Sequence, residues 1–282
     1  MPKTTVHVAT CQFSVGASVN RNAAQVRRQI LEAKQRRADV VHFPESAMTG
    51  YPGTDLSSWD GFDWENLKTQ TRSICDLARR KKVWVVLGSA HRLSGDCLPH
   101  NCLYLIGPDG RVRDRYDKRF CMSGDMAYYT PGDHVVTFDV HGVRFGLLIC
   151  FDLRFPELYR QLFKLRVRCV LQSFYNARAP GPTVHRHIMR QTMQARAATN
   201  AFWFSGANAS GRSQCYPSVF VQPDGEIVAS LRQHRAGVMV NLIRTRQTFY
   251  DPAGPYRELA MGGAMHNGSV VRDSRSKNRS AL

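Results

Sequence analysis

Three residues of this chain carry chemistry that a folded core has little use for: Cys150, Glu45 and Lys118. Cys150 closes the apolar run Val143-Arg-Phe-Gly-Leu-Leu-Ile-Cys150 and is followed by Phe151-Asp-Leu-Arg-Phe155 and Pro156-Glu-Leu-Tyr-Arg160. The run reads as a buried strand, and Pro156 with Glu157 reads as the first turn of a helix. A thiol at such a junction faces the end of a sheet and lies near helix N–H dipoles, so a lowered thiol pKa is expected. A cysteine in an apolar strand also fits a small core residue. Glu45 follows a second apolar strand, in Phe43-Pro-Glu-Ser-Ala-Met-Thr-Gly-Tyr51, and Lys118 stands just past a third, in Arg115-Tyr-Asp-Lys-Arg119. Either charge alone fits a solvated strand end. Together the three supply amide hydrolysis through a thioester: a thiol to attack, a carboxylate whose pKa is raised by burial to take the proton, and a fixed ammonium for the oxyanion.

The elements that must position these groups follow from hydrophobic periodicity. Val6–Phe13 reads as a strand, and a helix follows with Ala23, Val26, Ile30 and Ala33 on one face. Asp39–Phe43 is a second strand; a helix from Trp64 to Arg80 turns Leu67, Thr71, Ile74 and Leu77 or Ala78 inward and leads into the strand Val83–Gly88. Two successive strand, helix, strand units predict parallel strands with covering helices, and strand carboxyl ends are where such sheets build sites. Cys102–Ile106 with Val112–Tyr116, and Val135–Val140 with Val143–Cys150, read as hairpins. After the Pro156 helix come the strand Cys169–Phe174, a Pro/Gly loop, a helix over Thr183–Asn200, and strands at Ala201–Ala207, Ser218–Val221, Glu226–Leu231 and Gly237–Ile243. Residues 1–261 read as a single domain, and residues 262–282 as a polar tail, disordered or laid on a partner subunit.

Composition bounds the function classes. The 282 residues are 43% hydrophobic and 22% charged, which fits one large α/β domain and excludes wholesale disorder. No apolar run is long enough to span a bilayer and no signal peptide is seen, so the cytoplasm is the expected compartment and no membrane partner is expected. Eight scattered cysteines without a CxxC pair read as reduced thiols. Cys97-Leu-Pro-His100-Asn-Cys102 lacks a fourth metal ligand, and His185 and His187 diverge on a helix, so no metal is expected. The formal charge of +17 raises nucleic acid or an anionic substrate as partners. The basic residues are spread along the chain with no nucleic-acid motif, and two runs end predicted helices, where cations suit the dipole. Solvated basic surface is the expectation, and nucleic acid is set aside.

Phe43-Pro-Glu45 with Thr49-Gly-Tyr51, Tyr116-Asp-Lys118, and Leu148-Ile-Cys-Phe-Asp-Leu-Arg-Phe-Pro-Glu157 resemble, in order, the three signatures of the nitrilase superfamily of carbon-nitrogen hydrolases. Separations of 73 and 32 residues between Glu45, Lys118 and Cys150 suit that family, and Ala9-Thr-Cys-Gln12, Asn22, Thr130-Pro-Gly132, Gln194-Ala-Arg-Ala197, Asn200 and Asn208-Ala-Ser-Gly211 extend the likeness over residues 5 to 245. The resemblance implies a four-layer α-β-β-α sandwich that assembles into homodimers or larger homo-oligomers, with no metal or organic cofactor. It implies that Glu45 is the general base, that Lys118 stabilises the oxyanion with the backbone N–H of Phe151, and that Cys150 is the nucleophile.

The departures bear on substrate. Many relatives carry a second glutamate before the Pro-Gly turn, where Ser123-Gly-Asp-Met-Ala-Tyr-Tyr-Thr-Pro-Gly132 offers Asp125, one methylene shorter. Asp125 is assigned to water activation or lysine positioning, with a turn aspartate as the plain alternative. Gln172-Ser-Phe-Tyr-Asn-Ala-Arg178 differs from the usual segment after that strand, which helps form the substrate pocket in relatives. Tyr51, Arg154, Phe174, Tyr175 and Arg178 are the substrate-binding candidates, although Arg154 could equally pair with Asp152 or Glu157. The Phe-Asp-Leu-Arg-Phe-Pro-Glu form resembles the amidase branches, so the expected substrate is a small carboxamide. An N-carbamoyl amine or amino acid is the alternative, and a catalytically idle fold serving as a basic interaction module is the alternative of another class.

Overall fold

In the structure, a computed structural model that describes residues 5–178 and 181–280, the first half of the chain builds β1 (Thr5–Gln12), α1 (Val19–Gln35), β2 (Val40–His42), α2 (Trp64–Lys81) and β3 (Trp84–His91). β1, β2 and β3 are parallel neighbours, as the two strand, helix, strand units predict. β4 (His100–Ile106) and β5 (Val112–Asp117) then add antiparallel. The second half builds β6 (Thr137–Val140), β7 (Val143–Ile149), α3 (Pro156–Lys164), β8 (Cys169–Phe174), α4 (His185–Asn200), β9 (Trp203–Asn208), β10 (Val219–Val221) and β11 (Ile227–Ser230). The final strand, β12 (Gly237–Arg244), returns to pair antiparallel with β1. The result is two six-stranded sheets, ordered β12-β1-β2-β3-β4-β5 and β11-β10-β9-β8-β7-β6. Of the Pro/Gly loop expected after β8, residues 179 and 180 lie outside the described residues.

Local sequence explains the boundaries. Ser18 caps α1 by accepting from Arg21 N, and Asp63 caps α2 by accepting from Asn66 N, each cap being worth about 1 kcal/mol. Pro156 opens α3, where its missing N–H has no cost. The β6–β7 hairpin turns on His141 and Gly142, at φ of 49° and 79°, the pair of positive values that a two-residue hairpin turn demands.

Because strand side chains alternate, the first sheet buries two faces. One face, with Ala9, Cys11, Val41, Phe43, Val85 and Leu87, packs under the apolar stripes of α1 (Ala23, Val26, Ile30, Ala33) and α2 (Leu67, Ile74, Leu77, Ala78). Thr71, expected to face inward, is half-buried and bonds back to Leu67 O of its own helix at 2.7 Å, which satisfies its hydroxyl without core contact. The other face, with Val6, Val8, Val40, Val86, Leu103 and Leu105, shares one core with the second sheet, whose far side carries α3 and α4. This is the four-layer α-β-β-α order.

A polar bridge crosses that inter-sheet core beside the strand ends. His42 lies between Ser205 Oγ, 2.9 Å from Nδ1, and Ser173 Oγ, 2.9 Å from Nε2. Ser173 donates to Phe43 O at 2.7 Å, so His42 Nε2–H must be the donor to Ser173, and Nδ1 accepts from Ser205. Thr10 Oγ1 then serves as donor to Ser205 Oγ at 2.7 Å. Every group in the chain is satisfied by a neutral imidazole, and burial pushes the His42 pKa down to about 3.

Two glycines admit close backbone approaches that fix the catalytic loops. A Cβ on Gly88 would lie 2.0 Å from Pro44 O, so only glycine lets β3 support the Pro44-Glu45 turn. A Cβ on Gly132 would lie 2.4 Å from Asp117 Cβ, and Gly132 N donates to Lys118 O at 2.9 Å.

The described residues up to Tyr250 form one compact unit and those from Asp251 onward a second. The second holds α5 (Gly254–Met261), an element that the sequence reading does not include, and the short α6 (Ser274–Lys277); Arg257 pairs with Asp251 at its start. Among the described residues, no helix is long and apolar enough to cross a membrane.

Candidate active site

Glu45, Lys118 and Asp125 come together as buried charges. Glu45 lies three residues past β2 with no exposed surface. Its Oε1 accepts from Asn101 Nδ2 at 2.7 Å and from Lys118 Nζ at 3.0 Å, and its Oε2 accepts from Tyr175 N at 2.8 Å. Lys118, 1% exposed, also donates to Asp125 Oδ2 at 2.7 Å. Asp125 is held in turn by Met122 N at 3.1 Å and by Tyr51 OH at 2.6 Å. The shorter aspartate thus reaches the lysine directly, from a 3-10 turn at Asp125–Ala127.

One ammonium between two carboxylates sets the ionisation states. Burial raises the Glu45 pKa; Lys118 opposes this, and Asp125 adds to it. Burial works against the Lys118 ammonium, but Glu45, Tyr51, Cys150 and Asp125 outweigh it and hold its pKa well above the usual value. Lys118 therefore stays charged, and Glu45 is more basic than an ordinary carboxylate.

Cys150 opens a 3-10 turn, Cys150–Arg154, directly after β7, at φ 39°. A non-glycine residue in the left-handed region is strained, and the surroundings hold it there. Gln172 Nε2 donates to Cys150 O at 3.2 Å. Asp152 accepts from Ile149 N at 2.9 Å, from Tyr116 OH at 2.7 Å and from Phe120 N at 3.1 Å, tying the turn to the segment that carries Lys118. Burial raises the Asp152 pKa to about 6 against these donors, so it is ionised at pH 7.

The expected lowering of the thiol pKa is overturned. Cys150 is 7% exposed, and burial, then Glu45, push its thiol up; Lys118 and Arg178 pull the other way and lose. Desolvation outweighs local positive charge here because a carboxylate shares the site. The resting group is a neutral thiol within the electrostatic reach of Glu45, Lys118 and Asp125.

The sequence matches the family described as carbon-nitrogen hydrolase over residues 7–248. The chain belongs to the carbon-nitrogen hydrolase family. It is 33% identical, over 68% of its length and 82% of the relative, to the "Hydrolase in agr operon" of Staphylococcus lugdunensis. It is 25% identical to the 2-oxoglutaramate amidase of Bacillus subtilis, over 79% of this chain and 85% of that one. Its fold matches the crystal structure of an amidase from Nesterenkonia sp. with a TM-score of 0.76 at 20% identity, covering 93% of this chain and 98% of the other.

The remaining residues singled out in the sequence take up varied positions in this hydrolase. Phe151 is half-buried in the first turn of the 3-10 segment, where backbone N–H groups have no intrahelical acceptor. Tyr51 stacks on Tyr175 at 5.0 Å and 15°, and Lys118 Nζ lies 5.9 Å from the Tyr51 ring centre. Phe174 is fully buried and meets Tyr216 edge-on. Arg154 forms no ion pair with Asp152 or Glu157 among the described residues; its carbonyl accepts from Arg196. Arg178 donates to Ala177 O at 2.6 Å and lies 3.5 Å from His185 Nε2.

Sequence reasoning missed Asn101, Asp152 and Gln172, which hold Glu45 and the Cys150 turn. A signal existed: each is a polar residue inside or directly after an apolar strand, and a buried polar group needs a partner.

Proposed function

We propose that this hydrolase converts a small carboxamide into a carboxylic acid and ammonia or an amine through a thioester on Cys150. The observation that carries the reading is the burial of Lys118 between Glu45 and Asp125, with the Cys150 thiol within reach of its charge.

Since the thiol is neutral at rest, its proton must leave as sulfur attacks. Glu45, the basic carboxylate, takes that proton while the C–S bond forms and the carbonyl oxygen becomes an oxyanion. Lys118 and the Phe151 N–H stabilise the oxyanion; removing one such group costs about 100- to 1,000-fold in rate. Collapse of the tetrahedral adduct breaks the C–N bond, and Glu45 returns its proton to the departing nitrogen. Water then attacks the thioester with Glu45 again as base, and the carboxylic acid leaves with the thiol restored. Asp125 has its two oxygens occupied by three donors, which supports lysine positioning rather than water activation.

Cys150→Ala is expected to abolish ammonia release while keeping the wild-type circular dichroism and melting profile; turnover persisting in that folded variant would sink the reading. N-carbamoyl amines and amino acids belong in the same substrate panel, where preferential release of carbon dioxide with ammonia would favour the carbamoyl alternative. Assembly into homodimers or larger homo-oligomers and work in the cytoplasm complete the proposal; sedimentation analysis tests the first, and fractionation of cells the second.

A further inference from the structure

The end of β8 touches both the base and the nucleophile. Strand side chains alternate, so Gln172 and Ser173 point to opposite faces of the second sheet. Gln172, on the face that carries α3, accepts from the Tyr159 hydroxyl and donates to Cys150 O at 3.2 Å. Ser173, on the inter-sheet face, donates to Phe43 O at 2.7 Å, and two residues later Tyr175 N donates to Glu45 Oε2 at 2.8 Å. Both bonds join residues 130 positions apart, so the end of β8 and the segment Phe43-Pro44-Glu45 run side by side in the same direction. Phe43 N bonds to Val86 O, whereas its carbonyl is held across the inter-sheet core by the Ser173 hydroxyl.

A serine hydroxyl can turn about its C–O bond, so it aims at one acceptor only when its oxygen is engaged from another side. His42 Nε2–H, 2.9 Å away, engages it, and the Ser173 proton is left for Phe43 O. His42, Ser173 and Glu45 are fully buried. Each oxygen of a carboxylate offers two lone-pair sites. Among the described residues, Glu45 Oε1 accepts from both Asn101 Nδ2 and Lys118 Nζ, which fills it, whereas Oε2 accepts from Tyr175 N alone. The free site on Oε2 is the one that can take a proton. The Tyr175 N–H that orients it is a backbone group, so its place follows from where the end of β8 is pinned.

We infer that Ser173, with its hydroxyl aimed by His42, is a positioning residue for the general base: by holding Phe43 O it brings the Tyr175 N–H onto Glu45 Oε2 and leaves one lone pair of that oxygen for the Cys150 proton. The inference rests on the thioester reading for the task of Glu45 as base.

The test follows alkylation of Cys150 by iodoacetamide across pH, with peptide mapping to read that thiol apart from the other cysteines. The sulfur bonds to the CH2 carbon as iodide leaves, and Glu45 takes the thiol proton. Burial and Glu45 push the Cys150 pKa up, so reaction near neutral pH depends on the base, and the acid limb of the profile reports its protonation. Glu45→Gln should remove the neutral plateau. Ser173→Ala frees Phe43 O and withdraws the Tyr175 N–H from Oε2; the plateau should fall about tenfold. The limb should move about one unit to higher pH, because the carboxylate loses a donor. Lys118 and Asp125, the charges that act on Glu45, are unchanged in this variant. Ser173→Thr keeps the hydroxyl and should stay close to wild type. Ser173→Ala leaves the imidazole N–H unpaired, so the double variant Ser173→Ala with His42→Leu removes that orphan too and should show the same shift. Melting temperatures accompany every profile. A wild-type limb in the alanine variant or the double variant, with or without a lower plateau or melting temperature, makes Ser173 merely structural; that overturns the inference and leaves the thioester reading standing. An unchanged profile in Glu45→Gln removes Glu45 as base and overturns the proposed mechanism together with the inference.

Discussion

The Tyr116 hydroxyl donates to Asp152 Oδ2 at 2.7 Å, and through that bond the strand leading to Lys118 is tied to the turn that opens with Cys150. Lys118 and Cys150 lie on different sheets, β5 leading to one and β7 to the other. Their relative position depends on such cross-links. Asp152→Asn keeps the volume but loses charge and part of the acceptor capacity for three donors. It should cost about 1–3 kcal/mol in stability and lower kcat more than it raises KM. Chemical denaturation and steady-state kinetics check both; wild-type values in each would remove Asp152 from the positioning of Cys150.

Asp125 raises the Glu45 pKa through its charge. Asp125→Asn should therefore move the acid limb of the kcat/KM profile to lower pH, because Glu45 then loses its proton more readily. A merely structural aspartate would lower the whole profile without shifting it. Full thioester hydrolysis with an unshifted profile would take Asp125 out of the mechanism.

Gly88→Ala places a methyl 2.0 Å from Pro44 O, a contact that backbone cannot absorb in place. Glu45, one residue later, must move from its donors Asn101, Lys118 and Tyr175. The expected result is a folded but less stable protein with kcat/KM reduced about 100-fold, since small displacements in a catalytic site have large kinetic effects. Melting temperature and kinetics measured together separate local displacement from unfolding.

His42 gives a pH dependence whose sign is fixed. Its folded pKa of about 3 lies below the ordinary value of 6.5, so between these pH values the unfolded chain binds the extra proton. The contribution is fully present above pH 6.5 and is lost as the pH falls toward 3, at up to about 1.4 kcal/mol per pH unit. His42→Gln should be less stable at pH 7 and should show a shallower loss between about pH 6 and 4. Parallel stability curves for the two proteins would contradict the neutral bridge.

The strand-end placement of Glu45, Lys118 and Cys150 was legible because Pro44 and Pro156 punctuate apolar runs whose period is a matter of local sequence. The four covering helices followed for the same reason, whereas the pairing of two sheets into a sandwich was implied by the resemblance of the three signatures. The thiol pKa was not legible: whether desolvation or nearby charge wins depends on how deeply the folded chain buries Cys150, a tertiary property. Asn101 reads as part of a strand opening, since its partner Glu45 lies 56 residues away. Helix α5 begins at Gly254-Pro255, a pair that reads as a turn, although proline is at home in a helix's first turn.

The most direct test of the central claim is the intact mass of the protein, quenched in acid during turnover of a panel of small amides and N-carbamoyl compounds, with peptide mapping of the adduct. The account predicts a mass increase equal to the acyl group minus one hydrogen, located on Cys150 and absent from Cys150→Ala. Turnover without any adduct on Cys150, or an adduct of the same mass on another cysteine with Cys150→Ala still active, would contradict it.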